Sequence, residues 1–132
     1  MFLIINTAID KSLEVILAKS KNDFKVKEVE GERRQAENLL PLIKENLKNW
    51  HKEISDIKGI AAVTGPGGFT ALRIGIVTAN VLAYALNVPV VGLALDEFKS
   101  QEELVEKALD KLSQAKPGDI IMPAYGREPN IS

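Results

Sequence analysis

The chain has 132 residues, enough for one domain with a substantial core and too few for two ordinary ones. Its 45% hydrophobic and 27% charged residues exclude a disordered polyelectrolyte, and a net charge of −1 argues against a dedicated nucleic-acid binder with a basic surface. Zero cysteines exclude disulfides, thiolate-bound zinc and thiol catalysis, and suit a cytoplasmic protein.

In chain order, Phe2–Asn6 predicts a short apolar strand; without a basic lead and with only five apolar residues, it does not read as a signal peptide. Leu13–Ala18 and Phe24–Glu28 predict two more strands, separated by polar turns at Ile9–Ser12 and Lys19–Asp23. Together they predict an antiparallel meander whose outer edge is guarded by Lys25 and Lys27. Glu32–Trp50 switches to helical spacing. Ala36, Leu39, Leu40, Ile43, Leu47 and Trp50 share a stripe, Lys44, Glu45, Lys48 and Asn49 face away, and Pro41 interrupts the pattern.

Ile57–Val63 predicts a strand that runs into the loop Thr64–Thr70, followed by a helix over Ala71–Leu86 and a strand over Val88–Leu93. Residues 74–95 carry no charge, a length that matches a bilayer span, but Asn87-Val88-Pro89 breaks them into a buried helix and a buried strand. Hence no membrane association is expected. Gln101–Gln114 predicts a third helix, Lys116–Asp119 a turn, and Ile120–Met122 a last strand before an aperiodic tail at Pro123–Ser132. The order β-β-β-α-β-α-β-α-β implies a mixed sheet with helices packed on it.

The helix over 71–86 is the most informative element. Ala71, Gly75, Ala79 and Ala83 recur every four residues and form a smooth face, while Ile74, Val77, Val81 and Tyr84 on the other side are expected to pack on the sheet. A helix apolar nearly all round must be covered on more than one side. The smooth face either receives the first helix within one chain, or both helices expose a shared patch to another subunit.

Chemistry is sparse. The loop Gly65, Gly67, Gly68, Thr70 follows a strand and opens a helix, with Arg73 one turn in, the setting in which backbone amides hold an anion. It lacks the Gly-Lys-Ser/Thr ending of a nucleotide loop, and reads more readily as a rigid strand-to-helix turn with Phe69 plugging the core. His51, the single histidine, ends a helix among lysines and reads as a cap on the dipole rather than a metal ligand. Glu28, Glu30 and Glu32 beside Arg33 and Arg34 read as solvated loop. Asn6-Thr7 ends the first strand with an amide, where a metal-binding site would need a carboxylate.

The run Gly65-Pro66-Gly67-Gly68-Phe69-Thr70-Ala71-Leu72-Arg73-Ile74-Gly75 resembles the TsaB (YeaZ) family pattern Gly-Pro-Gly-Ser-Phe-Thr-Gly-Leu-Arg-Ile-Gly. Ala36–Ile43, Leu82–Gly92, Ile5-Asn6-Thr7 and the tail Pro123-Ala124-Tyr125-Gly126-Arg127 are similar to further family segments. The resemblance implies an α/β fold of the actin-like ATPase (ribonuclease H-like) type. Residues 1–98 would form its first half, and residues 99–132 a remnant of a largely missing second. It further implies a non-catalytic scaffold or activator subunit without cofactor or metal, which pairs with a homologous TsaD-type transferase acting on adenosine 37 of tRNA. A small TsaE-type ATPase joins that complex and tRNA is met only indirectly, while the smooth helix face, being self-complementary, would let the isolated subunit form a homodimer.

The expected interface is Ala36, Leu39, Leu40, Ile43, Leu72, Gly75, Ile76, Ala79 and Ala83. Asn6 stands for the family's Asp, Gln35 for a frequent His, and Gly68 and Ala71 for Ser and Gly. The alternatives are a free-standing interaction domain outside the tRNA pathway and a degenerate nucleotide-binding protein or protease.

Overall fold

The computed structural model describes residues 1–9, 12–30 and 35–124, without the side chains of residues 35–37 and 69. Five strands form one mixed sheet: β1 (Phe2–Asn6), β2 (Ser12–Ser20), β3 (Asp23–Glu30), β4 (Gly59–Gly65) and β5 (Val90–Ala94). Their spatial order is β3-β2-β1-β4-β5. The first three pair antiparallel as the expected meander, and β4 joins β1, then β5 joins β4, in parallel. Parallel neighbours require crossovers, supplied by α1 (Gln35–Asn49) and α2 (Phe69–Leu86). A third helix, α3 (Gln101–Ser113), follows β5.

The alternation along β1 divides the core in two. Leu3 and Ile5 point to the front, where Leu13, Val15, Leu17, Ile60 and Ala62 meet Leu39, Leu42, Ile43 and Leu47 of α1 and Ala79 and Ala83 of α2. Ile4 points to the back, where Ile16, Ala61, Val63 and Leu93 meet Leu104, Val105, Ala108 and Leu112 of α3. α3 therefore covers the rear face of this same sheet. The edge strand β3 is only half-buried and exposes Lys25. Among the described residues no helix is long and apolar enough to cross a membrane.

Both front helices stop in the same way. At the end of α1, Lys52 N–H donates to the Leu47 carbonyl and His51 N–H to the Lys48 carbonyl, with His51 at φ 54. At the end of α2, Val88 and Asn87 donate to Ala83 and Tyr84, with Asn87 at φ 55. These are Schellman ends in which His51 and Asn87 take the left-handed position that glycine usually fills. His51 thus ends α1 through its backbone. Because Val88 is spent on the α2 cap and Pro89 has no N–H, β5 begins at Val90, two residues later than expected.

Several expectations are corrected. Leu40 was placed on the buried stripe of α1 but is 46% exposed; Leu42 and Asn46 take the inner positions. Asn46 is fully buried and its amide donates to the carbonyls of Val15 and Lys25, stitching α1 to β2 and β3. Ile120–Met122 is not a strand. The Asn80 side chain of α2 instead holds Ile121 from both sides, its Oδ1 accepting from Ile121 N–H and its Nδ2 donating to the Ile121 carbonyl, each at 3.0 Å. One amide offers a donor and an acceptor to a single peptide, so it replaces one rung of a ladder and no more. The expected helix start at Glu32, the charged run at residues 32–34 and the tail beyond Ala124 lie outside the described residues.

Candidate functional site

The outer surface of α2 differs from the expected one by about half a turn. Leu72, Gly75, Ile76, Ala79 and Ala83 are buried against the sheet, whereas Val77, Val81 and Tyr84, expected on the sheet, are 57%, 59% and 90% exposed. α2 carries no acidic residue and only Arg73 as a base, so no polar stripe marks its solvent side in the sequence. The small residues decide the orientation, because they allow the helix backbone to approach β1 and β4 closely. A Cβ on Gly75 would fall 2.9 Å from Thr7 Cγ2 and closer still to Thr7 Oγ1. Of the residues expected at an interface, Leu39, Ile43, Leu72, Gly75, Ile76, Ala79 and Ala83 are thus taken up by the chain's own core, Leu40 is exposed, and the side chain of Ala36 is not among those described.

At 100° per residue, Arg73, Tyr84, Val77, Thr70 and Val81 fall within about 80° of one another on the outer side of α2. All five are exposed. Ile74 and Leu82 lie on the flank towards α1 and pack against the front core. On α1, Glu45 and Asn46 turn towards β3, through the ion pair with Lys27 and the bond to the Lys25 carbonyl. Leu40 therefore lies on the opposite flank, towards α2. The result is an apolar strip, Tyr84–Val77–Val81, continued by Leu40 across the furrow between the helices. Single exposed apolar residues are ordinary, but a contiguous strip on one helix face marks an interaction surface.

The loop at the end of β4 is packed by the chain itself. Gly65 has φ 126, and a Cβ there would overlap the carbonyl oxygen of Ala124, whose own N–H donates to the Thr64 carbonyl at 2.7 Å. A Cβ on Gly67 would come within 3.1 Å of Ala8 Cα. At Gly68, where the family pattern has Ser, a Cβ would meet nothing within 4 Å, so either residue fits. Thr70 and Arg73 are exposed beside the loop and the expected anion contact rests on them. Asn6 is buried, and its Oδ1 accepts the N–H of Ala8, shaping the turn after β1.

Sequence reasoning missed Glu14. It is buried on β2 opposite Asn6 on one side and Glu28 on the other, and its Oε2 accepts from Gln101 Nε2 at 2.8 Å. Burial first, and then the charge of Glu28, pushes its carboxyl above the usual range, against the pull of hydrogen bonds from Gln101 and Asn6. A carboxyl with a raised value in the fold binds its proton more tightly there than in the unfolded chain. Its ionisation therefore costs stability as pH rises through the folded value, and nothing at pH well below the unfolded one. Glu14→Gln, which keeps an acceptor for Gln101, is expected to raise the urea midpoint at pH 7. The gain over wild type should vanish near pH ~3, below the ordinary Glu value. A variant equally stable to wild type at both pH values would show that the buried carboxylate carries no such cost.

A mixed five-stranded sheet of order 3-2-1-4-5, with α1 and α2 in front and α3 behind, is the actin-like ATPase fold. The family model of TsaD, the tRNA N6-adenosine threonylcarbamoyltransferase, matches residues 28–95, more than half of the chain. YeaZ from Pseudomonas aeruginosa superposes with a TM-score of 0.63 at 28% identity, over 71% of this chain and 44% of that one. A second Pseudomonas aeruginosa structure, described as an uncharacterized protein with similarity to peptidase YEAZ, gives 0.64 with the same identity and coverage. The chain belongs to the TsaD and TsaB (YeaZ) family. The tRNA N6-adenosine threonylcarbamoyltransferase of Geotalea daltonii is 48% identical over 61 residues, 46% of this chain and 18% of that protein. The enzyme of the same description from Geotalea uraniireducens is 41% identical over the same length. The chain thus spans less than half of the solved relatives and about a fifth of these curated ones.

Proposed function

We propose that this chain is a non-catalytic subunit of the tRNA threonylcarbamoylation system that docks onto a TsaD-type transferase through the outer face of α2. The observation that carries this reading is the strip Val77, Val81 and Tyr84, with Leu40 beside it, left uncovered by a chain whose sheet already has helices on both faces. Family membership supports the tRNA modification role. The site chemistry supports the non-catalytic part. At the end of β1 an amide is spent on its own turn, and the single histidine shapes a helix end. The transferase supplies the chemistry at adenosine 37, and this subunit holds it in its active arrangement. A TsaE-type ATPase joins as a third member, the setting is cytoplasmic, and this chain itself takes no cofactor.

The test is light scattering on a size-exclusion column, for the chain alone and mixed with the transferase encoded in the same genome. A one-to-one complex at ten micromolar is expected, the range in which binding is worth about 7 kcal/mol. If the two proteins elute separately at that concentration, a free-standing interaction domain replaces this reading. A homodimer that excludes the transferase would do the same.

A further inference from the structure

At the far end of α1 from the strand-end loop lies a shallow hollow of about 640 Å³, lined by Lys44, Leu47, Lys48, His51, Lys52, Glu53, Ile54 and Ser55. We propose that this hollow binds the phosphate backbone of a structured RNA, the tRNA on the reading of function above. Lys21, Lys27, Lys107 and Lys111 each pair with a glutamate, but Lys44, Lys48 and Lys52 are in no ion pair among the described residues. The neighbouring acids have partners of their own. Glu45 faces Lys27 on β3, and Asp56 accepts the N–H of Glu53 within its own 3-10 turn, leaving Glu53 as the one carboxylate of the lining. Lys58 adds to the same end of the molecule. The amino group of Met1 there is held below its usual range by burial and then by Lys58 and Lys52.

The chemistry selects a backbone over bases. Lys44 and Lys48 are one helical turn apart, about 5–6 Å between Cβ atoms, and the Schellman end of α1 swings Lys52 in beyond them. Lysines act as point charges that suit phosphate oxygens in any orientation, without the planar fork by which arginine reads phosphates, carboxylates or base edges bidentately. His51 is the one ring among the lining residues, with no Phe, Tyr or Trp to form a stacking platform for successive bases. Contacts to phosphate alone position an RNA without reading its sequence. Such contact goes beyond the expectation that tRNA is met only indirectly, and it leaves the α2 strip free for a protein partner.

The experiment is fluorescence anisotropy of the intact chain with a labelled tRNA transcript and with an RNA duplex of unrelated sequence, at 50 and 200 mM potassium chloride. Both RNAs should bind, and neutralising three phosphates should weaken duplex binding by about 40-fold across that salt step, from a slope of ~0.9 per contact. Lys48→Gln with Lys52→Gln should weaken binding at 50 mM at least tenfold and flatten the salt dependence, with the melting temperature and complex formation with the transferase unchanged. Lys116→Gln, on an exposed turn elsewhere, should bind as wild type does. Equal affinity of the double variant and wild type would overturn the proposal. So would preferential binding of a labelled polyglutamate peptide, which would make the hollow a site for an acidic protein segment. Lost RNA binding with an intact transferase complex in the variant supports the proposal, whereas RNA binding without any transferase complex in wild type overturns only the docking reading.

Discussion

Val77→Glu combined with Val81→Glu is expected to abolish the complex with the transferase while leaving the chain folded. Both side chains are more than half exposed on the outer face of α2, so neither contributes much to the core. Surface substitutions of this kind usually change stability by less than about 0.5 kcal/mol, and glutamate forms helix slightly better than valine. Buried in a helix-to-helix contact, each new carboxylate would lose its water without gaining a partner, a cost of several kcal/mol. Two such costs exceed the whole of a micromolar affinity, about 8 kcal/mol, only if both positions lie inside the contact. The paired readouts are the thermal midpoint of the variant and its elution with the transferase. A folded variant that still binds would place the interface elsewhere. Ala79→Arg, which the smooth-face reading of α2 would favour, gives no such answer. Ala79 is fully buried, so its loss of binding would report unfolding.

The sheet was legible because its pattern follows from local physics. The alternation in β3, the continuous apolar runs of β1 and β4, and the lengths of the intervening helices decide strand type and sequence along the chain through β5, while the lateral order β3-β2-β1-β4-β5 is set by the fold. The rotation of α2 was not legible. In a helix with one charged residue in eighteen, periodicity shows that two sides are apolar but not which is inside. What settles it is distance. The helix lies where its glycine and alanines let it touch the end of β1, and the bulky valines and the tyrosine are turned out. That is a tertiary fact carried by Thr7, seventy residues away from the helix centre in the sequence. Asn46 and Asn80 were missed for a related reason. Each is a polar residue within a helix that reads as solvent-facing, yet each amide is spent on backbone groups far along the chain, at Val15, Lys25 and Ile121. The glycine loop was read in two ways, and its contacts with Ala8 and Ala124 give weight to the rigid turn.

Gly75, the last residue of the eleven-residue loop-and-helix motif, provides a direct test of what that motif does. In an exposed helix interior, Gly→Ala gains about 1 kcal/mol from lost backbone entropy of the unfolded chain. Here the new methyl would meet Thr7, with Cγ2 at 2.9 Å, Cβ at 3.2 Å and Oγ1 nearer than either. Thr7 is 1% exposed and sits inside the turn that Asn6 fastens, so it has little room to give way. Overpacking of a rigid core costs about 1–3 kcal/mol, more than the helical gain. With the gain of about 1 kcal/mol set against that cost, Gly75→Ala is expected to destabilise the fold by up to about 2 kcal/mol, seen as a lower urea midpoint with an unchanged slope. Thr7→Ala alone should cost only about 1 kcal/mol, the loss of one buried methyl, because the hydroxyl it also removes has no hydrogen-bond partner among the described residues. The double variant Thr7→Ala with Gly75→Ala should recover most of the loss, giving a coupling of about 1 kcal/mol or more between two residues that touch. Additive effects would mean that α2 is not held against β1 at this point. A coupled pair with undiminished transferase binding would assign the motif to holding α2 at the rotation that turns Val77, Val81 and Tyr84 outward, and would leave the docking surface to those three side chains.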